Sequence, residues 1–267
     1  MPANNNFEGR VAVVTGAGSG IGRAIALDLL KSGAQVAGLG RRPAHAAELR
    51  DLREFGSAFL WVPADVSRET DVRLAMQRVL RKFGKVDFLV NNAGVRGPTA
   101  TVAELSANDW CKVLETNLTG AFLCARECVR EMIPRRQGRI VNIASTAGRT
   151  AYPMRASYAA SKWGLVGFTL TLAQEVGRHN ILVNAVCPGP VEGAAIDEVI
   201  AARAKALGIP AAKIREQFER SSALGRMATA QDVSDMVLFL CSDRARNITG
   251  QVIDVSAGFG LVQKLHR

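Results

Sequence analysis

The sequence predicts an α/β fold, a doubly wound parallel sheet with helices on both faces. Two observations carry this reading. Short apolar runs alternate with helix-period stretches along the chain, the pattern of parallel strands joined by right-handed crossovers. The first apolar run also passes through a glycine-rich turn straight into a helix, a junction suited to holding phosphate groups.

The elements follow in order. Val11 to Val14 reads as a short buried strand. Ile21 to Lys31 reads as a helix with Ile21, Ile25 and Leu29 on one face, stopped by Gly33. Gln35 to Leu39 is the second strand, Ala44 to Phe55 a helix, and Ala58 to Val62 the third strand. Thr70 to Lys82 is a helix striped by Val72, Met76, Val79 and the following Phe83. Val86 to Val90 is the fourth strand, and Trp110 to Met132 a long helix. Arg139 to Ile143 is the fifth strand, Tyr158 to Arg178 a second long helix, and Ile181 to Val186 the sixth strand. Ala230 to Leu240 is a late helix and Gln251 to Val255 the last strand. The rhythm breaks from Gly189 to Arg226, which opens with Pro188-Gly189-Pro190 and continues Ala-rich and amphipathic. The expectation is one domain over residues 1–267 with an insertion at about 190–226 acting as a lid.

With 267 residues, 48% of them hydrophobic, the chain can bury one sizeable core. It has no apolar run of the length, about 20 residues, that a membrane-spanning helix needs. Its start, Met1-Pro2-Ala3-Asn4-Asn5-Asn6, lacks a secretory pattern. A soluble, cytoplasmic protein with no membrane partner is expected. Cys111, Cys124, Cys128, Cys187 and Cys241 are odd in number and form no Cys-x-x-Cys pair, which argues against a disulfide framework. His45, His179 and His266 are too scattered to suggest a metal site, so none is expected. The formal charge of +10 is dispersed, apart from the pairs Arg41-Arg42 and Arg135-Arg136. Few aromatics and no nucleic-acid module exclude nucleic acid as the expected partner. The charge is either a solvated surface or a field for an anionic ligand such as a phosphorylated cofactor.

The turn Thr15-Gly16-Ala17-Gly18-Ser19-Gly20-Ile21-Gly22 has the spacing G-x-x-x-G-x-G, with Ile21 where G-x-G-x-x-G needs its third glycine. Glycines let the backbone approach a pyrophosphate, and the helix start offers free N–H groups and a positive dipole end. The second strand ends Leu39-Gly40-Arg41-Arg42, without the acid that binds a ribose 2′-hydroxyl in NAD-selective folds. Arg41 can instead pair with a 2′-phosphate, so NADP(H) is favoured over NAD(H). Ala64-Asp65-Val66 and Asn91-Asn92-Ala93-Gly94 follow the third and fourth strands, at the edge where such sheets bind ligands. Asp65 either accepts from adenine N6 or caps a helix. Asn91 and Gly94 are read as shaping the backbone beside the cofactor.

Ser145 ends the fifth strand. Tyr158 and Lys162 stand four apart on one helix face. A lysine ammonium beside the phenol is expected to lower its pKa. Tyr158 can then exchange a proton with a carbonyl or alcohol, with Ser145 hydrogen-bonded to the same oxygen.

On Thr15, Gly16, Gly20, Ile21, Gly22, Asp65, Val66, Asn91, Asn92, Ala93, Gly94, Asn117, Ser145, Tyr158, Lys162, Pro188 and Gly189, nearly the whole chain resembles the short-chain dehydrogenase/reductase family. The resemblance implies a Rossmann-like, seven-stranded parallel sheet, commonly assembled as a homotetramer through the two long helices. It implies Tyr158 as acid/base and Lys162 as a ligand of the nicotinamide ribose. It also implies Asn117 as the holder of a relay water and backbone near Val191 as a contact to the carboxamide. Gly18 and Ser19 complete the cofactor turn. Two positions depart from common family patterns. Gly193 stands where a Thr often contacts the cofactor, and Ser19 where some NADP-dependent members carry a base.

The substrate is expected to be a small carbonyl or alcohol. Arg155 lies three residues before Tyr158 in Tyr152-Pro153-Met154-Arg155. It either pairs with a substrate anion or faces solvent or a neighbouring subunit. Tyr152 and Arg96 are further candidates for substrate contact. One alternative is a 3-oxoacyl-carrier-protein reductase, with Arg136 and Arg178 meeting the acidic carrier. Another is an inactive dinucleotide-binding sensor, which loss of Tyr158 or Lys162 would have marked.

Overall fold

The structure is a computed structural model and describes residues 6–42 and 47–260. The chain runs β1 (Val11–Thr15), α1 (Gly20–Lys31), β2 (Gln35–Gly40), α2 (Arg50–Arg53), β3 (Phe59–Pro63), α3 (Glu69–Phe83) and β4 (Phe88–Asn91). It continues α4 (Ala107–Leu114), α5 (Gly120–Arg135), β5 (Gly138–Ile143), α6 (Ala156–Val176) and β6 (Ile181–Pro188). It closes with α7 (Ala194–Leu207), α8 (Ala211–Arg220), α9 (Ala230–Cys241) and β7 (Val252–Val255). The strands form one seven-stranded sheet in the order β3-β2-β1-β4-β5-β6-β7, every pair parallel.

Strand alternation divides the core between the two faces. Ala12, Val14, Val36 and Val90 meet Ile25 and Leu29 of α1 and Val233 and Val237 of α9. Val11, Val13, Leu39 and Leu89 meet Val72 and Val79 of α3, Cys128 and Met132 of α5, and Leu172 and Val176 of α6. Because β1 lies between β2 and β4, the crossovers reverse direction there and open a crevice at its carboxyl end.

Three elements depart from expectation. The first four residues expected of the helix over 44–55 include 44–46, which lie outside the described residues. From Ala47 there is only a 3-10 turn, the single turn α2 and a second 3-10 turn. Among the described residues Leu49 and Leu52 are its buried anchors, and Gly56 breaks it at φ +55°. The helix expected over 110–132 starts at Ala107, where the Ser106 side chain accepts from Asp109 N. A π turn over Glu115–Thr119 then interrupts it before α5. The segment expected as a lid holds α7 and α8 around Ile196, Val199, Ile200, Ile214 and Phe218. A parallel bridge between Val191 and Ala228 ties its two ends together.

Candidate active site

A cleft of about 800 Å³ opens at the carboxyl ends of the central strands, under α7 and α8. On one side the chain leaves β1 through Gly16 at φ +67° and enters α1 at Gly20, φ +53°. Ser19 stands at the helix cap but makes no side-chain cap bond, and the first turn of α1 holds no acid. The N–H groups and the positive dipole end of α1 are therefore left for a ligand anion. Gly22 permits the close approach: a Cβ there would lie 2.3 Å from the Gly16 carbonyl oxygen and from Asn92 Nδ2. Thr15 and Asn92 stitch this turn to the end of β4. Asn92 N and Ala93 N both donate to Thr15 Oγ1 at 2.9 Å, and Asn92 Nδ2 donates to Thr15 O at 2.9 Å. A bare, anion-ready helix start beside a crevice fits a dinucleotide pyrophosphate.

The opposite wall carries Ser145, Tyr158 and Lys162. Ser145 follows β5 in extended backbone, and its Oγ accepts from Ala147 N at 3.1 Å. Lys162 is buried, and its Nζ donates to Ile143 O at 2.7 Å, 5.7 Å from the Tyr158 ring centre. Burial depresses the Lys162 pKa to about 8. Burial also pushes the Tyr158 phenol above its ordinary value, against the lowering effects of a Ser145 hydrogen bond and of Arg96 and Arg155. The phenol is thus raised and not depressed as expected, because desolvation of the phenolate is the largest effect on it.

Of the expected cofactor and substrate residues, Gly16, Ser19, Gly20, Ile21, Ala93, Gly94, Pro188, Gly189 and Val191 line the cleft, as do Arg96, Tyr152 and Arg155. Others stand behind its wall. Gly18 faces Trp61, and Gly22 acts sterically. Asn91 turns into the helix layer, where its Nδ2 donates to Ala121 O at 3.1 Å and Asn142 Oδ1 at 2.9 Å. Val66 is buried against Gly120 at the start of α5. Asp65 is no helix cap: Ser67 N and Ser67 Oγ donate to its Oδ1 at 3.0 and 2.7 Å. Burial raises its pKa, but those bonds and the charges of Arg41 and Arg68 bring it below the usual value. Arg42, not Arg41, reaches the cleft, and Glu48 lies 3.3 Å from it.

Asn117 occupies the π turn and is buried. Its Nδ2 donates to Val95 O at 2.9 Å and Ser161 Oγ at 3.0 Å, while Val95 N donates to its Oδ1 at 2.7 Å. Both amide hydrogens are spent on protein atoms, so through them the side chain positions the loop after β4. Arg155 is buried, not solvent-facing. Sequence reasoning left Thr15, Asn92, Ser161 and Arg42 unassigned. All four lie in or beside quoted motifs, but which way each side chain turns is a tertiary fact. Among the described residues no cluster of His, Cys, Asp and Glu could hold a metal, and no helix is long and apolar enough to cross a membrane.

A smaller cavity of about 220 Å³ lies at the amino ends of β1, β4 and β5, among Arg10, Asp87 and Arg139, and none of the sequence-predicted site residues lines it.

Residues 16–260 match the family model described as enoyl-(acyl carrier protein) reductase. The chain is 38% identical to a short-chain dehydrogenase/reductase of Armillaria gallica, over 97% of this chain and 98% of that one. It is 36% identical to a 3-oxoacyl-[acyl-carrier-protein] reductase of Aquifex aeolicus, over 94% and 98%. Among solved structures, actinorhodin polyketide ketoreductase with NADPH superposes with a TM-score of 0.90 at 36% identity, over 98% of this chain and 100% of that one. NAD+-bound xylitol dehydrogenase gives 0.90 at 34% identity, over 94% and 99%.

Proposed function

The chain belongs to the short-chain dehydrogenase/reductase family of oxidoreductases, and from that premise we propose that Tyr158, Ser145 and Lys162 perform its chemistry with NADP(H). The reaction is hydride transfer between a nicotinamide cofactor and a carbonyl or secondary alcohol. The carrying observation is the cleft itself: an uncapped, glycine-built helix start on one wall and Ser145, Tyr158 and Lys162 on the other.

A bound nicotinamide supplies or accepts the hydride. Ser145 Oγ hydrogen-bonds the substrate oxygen and orients it. With its pKa raised, Tyr158 is protonated at neutral pH and delivers its proton to that oxygen as the alcohol forms. In the reverse direction it accepts the proton. Lys162, anchored by Ile143 O, holds positive charge beside the ring and would meet the cofactor ribose. Asn117 is a positioning residue, holding Val95 and, through Ser161, the catalytic helix α6. Gly16, Ser19, Gly20 and Ile21 would hold the pyrophosphate, Ala93 and Gly94 would lie beside the cofactor, and Pro188, Gly189 and Val191 would meet the carboxamide.

The preference for NADP(H) rests on Arg41 and Arg42, which follow a second strand that itself ends without an acid; the nearby carboxylates are Asp65, which feels the charge of Arg41, and Glu48, 3.3 Å from Arg42. The segment over 190–226 acts as a lid on a single domain. Buried, unpaired Cys124, Cys128, Cys187 and Cys241 suit a reducing cytoplasm. The assembly is a homotetramer on a small-molecule substrate, without nucleic acid or membrane. The likeness to the Aquifex aeolicus protein favours a carrier-protein reductase as a second reading. Arg136 and Arg178 lie at the amino ends of β5 and β6, opposite this chain's own cleft, so a carrier bound there could feed only a neighbouring copy's.

The test is a ketone and aldehyde panel followed at the nicotinamide absorbance, with NADPH and NADH in parallel. Turnover is expected with NADPH favoured, and Tyr158→Phe is expected to lose on the order of a hundredfold or more in rate. Near-normal turnover in Tyr158→Phe refutes the assignment.

A further inference from the structure

Among the described residues, Arg155 holds a charge that no carboxylate pairs. It is 7% exposed, precedes α6 by one residue, and forms part of the cleft wall. Its Nη1 donates to Arg96 O at 3.3 Å and Gly97 O at 3.0 Å. Among the described residues these are its only hydrogen bonds. Nε and Nη2 have no partner among the described residues, and Arg155 lines the cleft.

Three acids of the lid are committed elsewhere. Glu198 pairs with Arg96, and Glu192 and Asp197 both pair with Arg215. Arg203 of α7 lies on the same wall, its guanidinium 5.9 Å from the Phe218 ring centre, and has no carboxylate partner among the described residues. Burial lowers the Arg155 pKa, and the charges of Arg96 and Arg203 lower it further, against the raising effects of Tyr152 and Tyr158. A buried guanidinium with cationic neighbours and no acid is costly in a bare fold. A ligand anion removes the cost, and a guanidinium fork is shaped to take two oxygens of one.

Arg155 stands three residues before Tyr158, so it lies at the substrate end of the cleft and not at the pyrophosphate end. Resting on the dehydrogenase reading above, we infer that the substrate bears an anionic group, a carboxylate or a phosphate, which pairs with Arg155 while its reacting carbon lies at Tyr158. Arg203 flanks that group from the lid. The competing role, a strap holding the 96–97 loop, needs Nη1 alone.

The experiment compares matched ketones on the NADPH-loaded enzyme: an oxo acid against its primary amide, and an oxo phosphate ester against its free alcohol. The anionic member is expected to exceed the neutral one about 30-fold in kcat/KM, chiefly through KM, as for a charge-assisted bond made in the ground state. The stronger of the two pairs identifies the anion. In Arg155→Gln that ratio collapses toward one, and Arg155→Lys recovers part of it. Equal rates within each pair, or an unchanged ratio in Arg155→Gln, overturn the inference. A second readout needs no turnover. A saturated short-chain carboxylate should bind the NADPH complex of Tyr158→Phe by calorimetry, and adding Arg155→Gln should abolish that binding. Carboxylate binding through Arg155 with no ketone reduced by the unsubstituted enzyme would keep the anion site and remove the dehydrogenase reading. Ketone reduction without charge preference or carboxylate binding would do the reverse.

Discussion

Lys162 shows what a buried ammonium costs the fold. The chain buries an ammonium whose one hydrogen bond among the described residues goes to the Ile143 carbonyl. Its pKa falls from 10.5 to about 8. The folded state therefore disfavours the charged form relative to the unfolded chain. The penalty is present in full below pH 8 and fades as pH rises from 8 toward 10.5. It amounts to roughly 3 kcal/mol at neutral pH. Lys162→Met is accordingly expected to abolish turnover and yet raise the melting temperature at pH 7, with the gain shrinking as pH climbs past 8. Thermal unfolding of both proteins without cofactor, at pH 7 and pH 9, measures this. A variant that melts below the parent at pH 7 would show the buried charge to be well compensated.

At the scale of elements, the site is made by two helix ends and one irregularity. The start of α1 is left bare by Ser19, and α6 brings Tyr158 and Lys162 to the cleft one turn apart. The π turn over Glu115–Thr119 widens the helix path just where Asn117 must reach both Val95 and Ser161, a use such turns often have. The tightest joint is Gly22 in α1. Alanine there would press its Cβ onto a backbone oxygen that cannot yield. Gly22→Ala is expected to cost about 1–3 kcal/mol of stability, as overpacking does. It should also weaken NADPH binding, because α1 must back away from the turn it serves. Denaturant unfolding and fluorescence titration of NADPH report the two losses. Unchanged affinity would separate the helix position from cofactor binding.

On the scale of the whole molecule, α4, α5 and α6 leave large apolar side chains outside. Trp110, Phe122, Trp163 and Leu170 are all more than a third exposed, with Phe122 edge-on to Phe168. A patch of this kind marks an association surface. The expected homotetramer would cover it. Light scattering should give four copies for the parent, and Trp163→Glu should yield smaller species by placing a charge in a dry interface. A parent that runs as a monomer at micromolar concentration would remove the tetramer.

Sequence alone determined the order of strands and helices, because the alternation of short apolar runs with 3.6-residue stripes is written in near neighbours. It also determined the glycine turn after β1 and the Tyr158–Lys162 pair, whose spacing fixes a shared helix face wherever the helix lies. Tertiary structure decided the rest. Asn91 and Asn92 are adjacent and alike, yet one turns into the helix layer and the other ties Thr15, since strand pleating sends them to opposite sides. Arg42 reaches the cleft and Arg41 does not. Over the described residues 47–55 the expected helix gives way to single turns, where Leu49 and Leu52 are buried and Phe55 only partly so. Local charge suggested a lowered phenol at Tyr158, but burial raised it. Burial and field are sums over everything packed around a group, and that set is known only once the chain has folded.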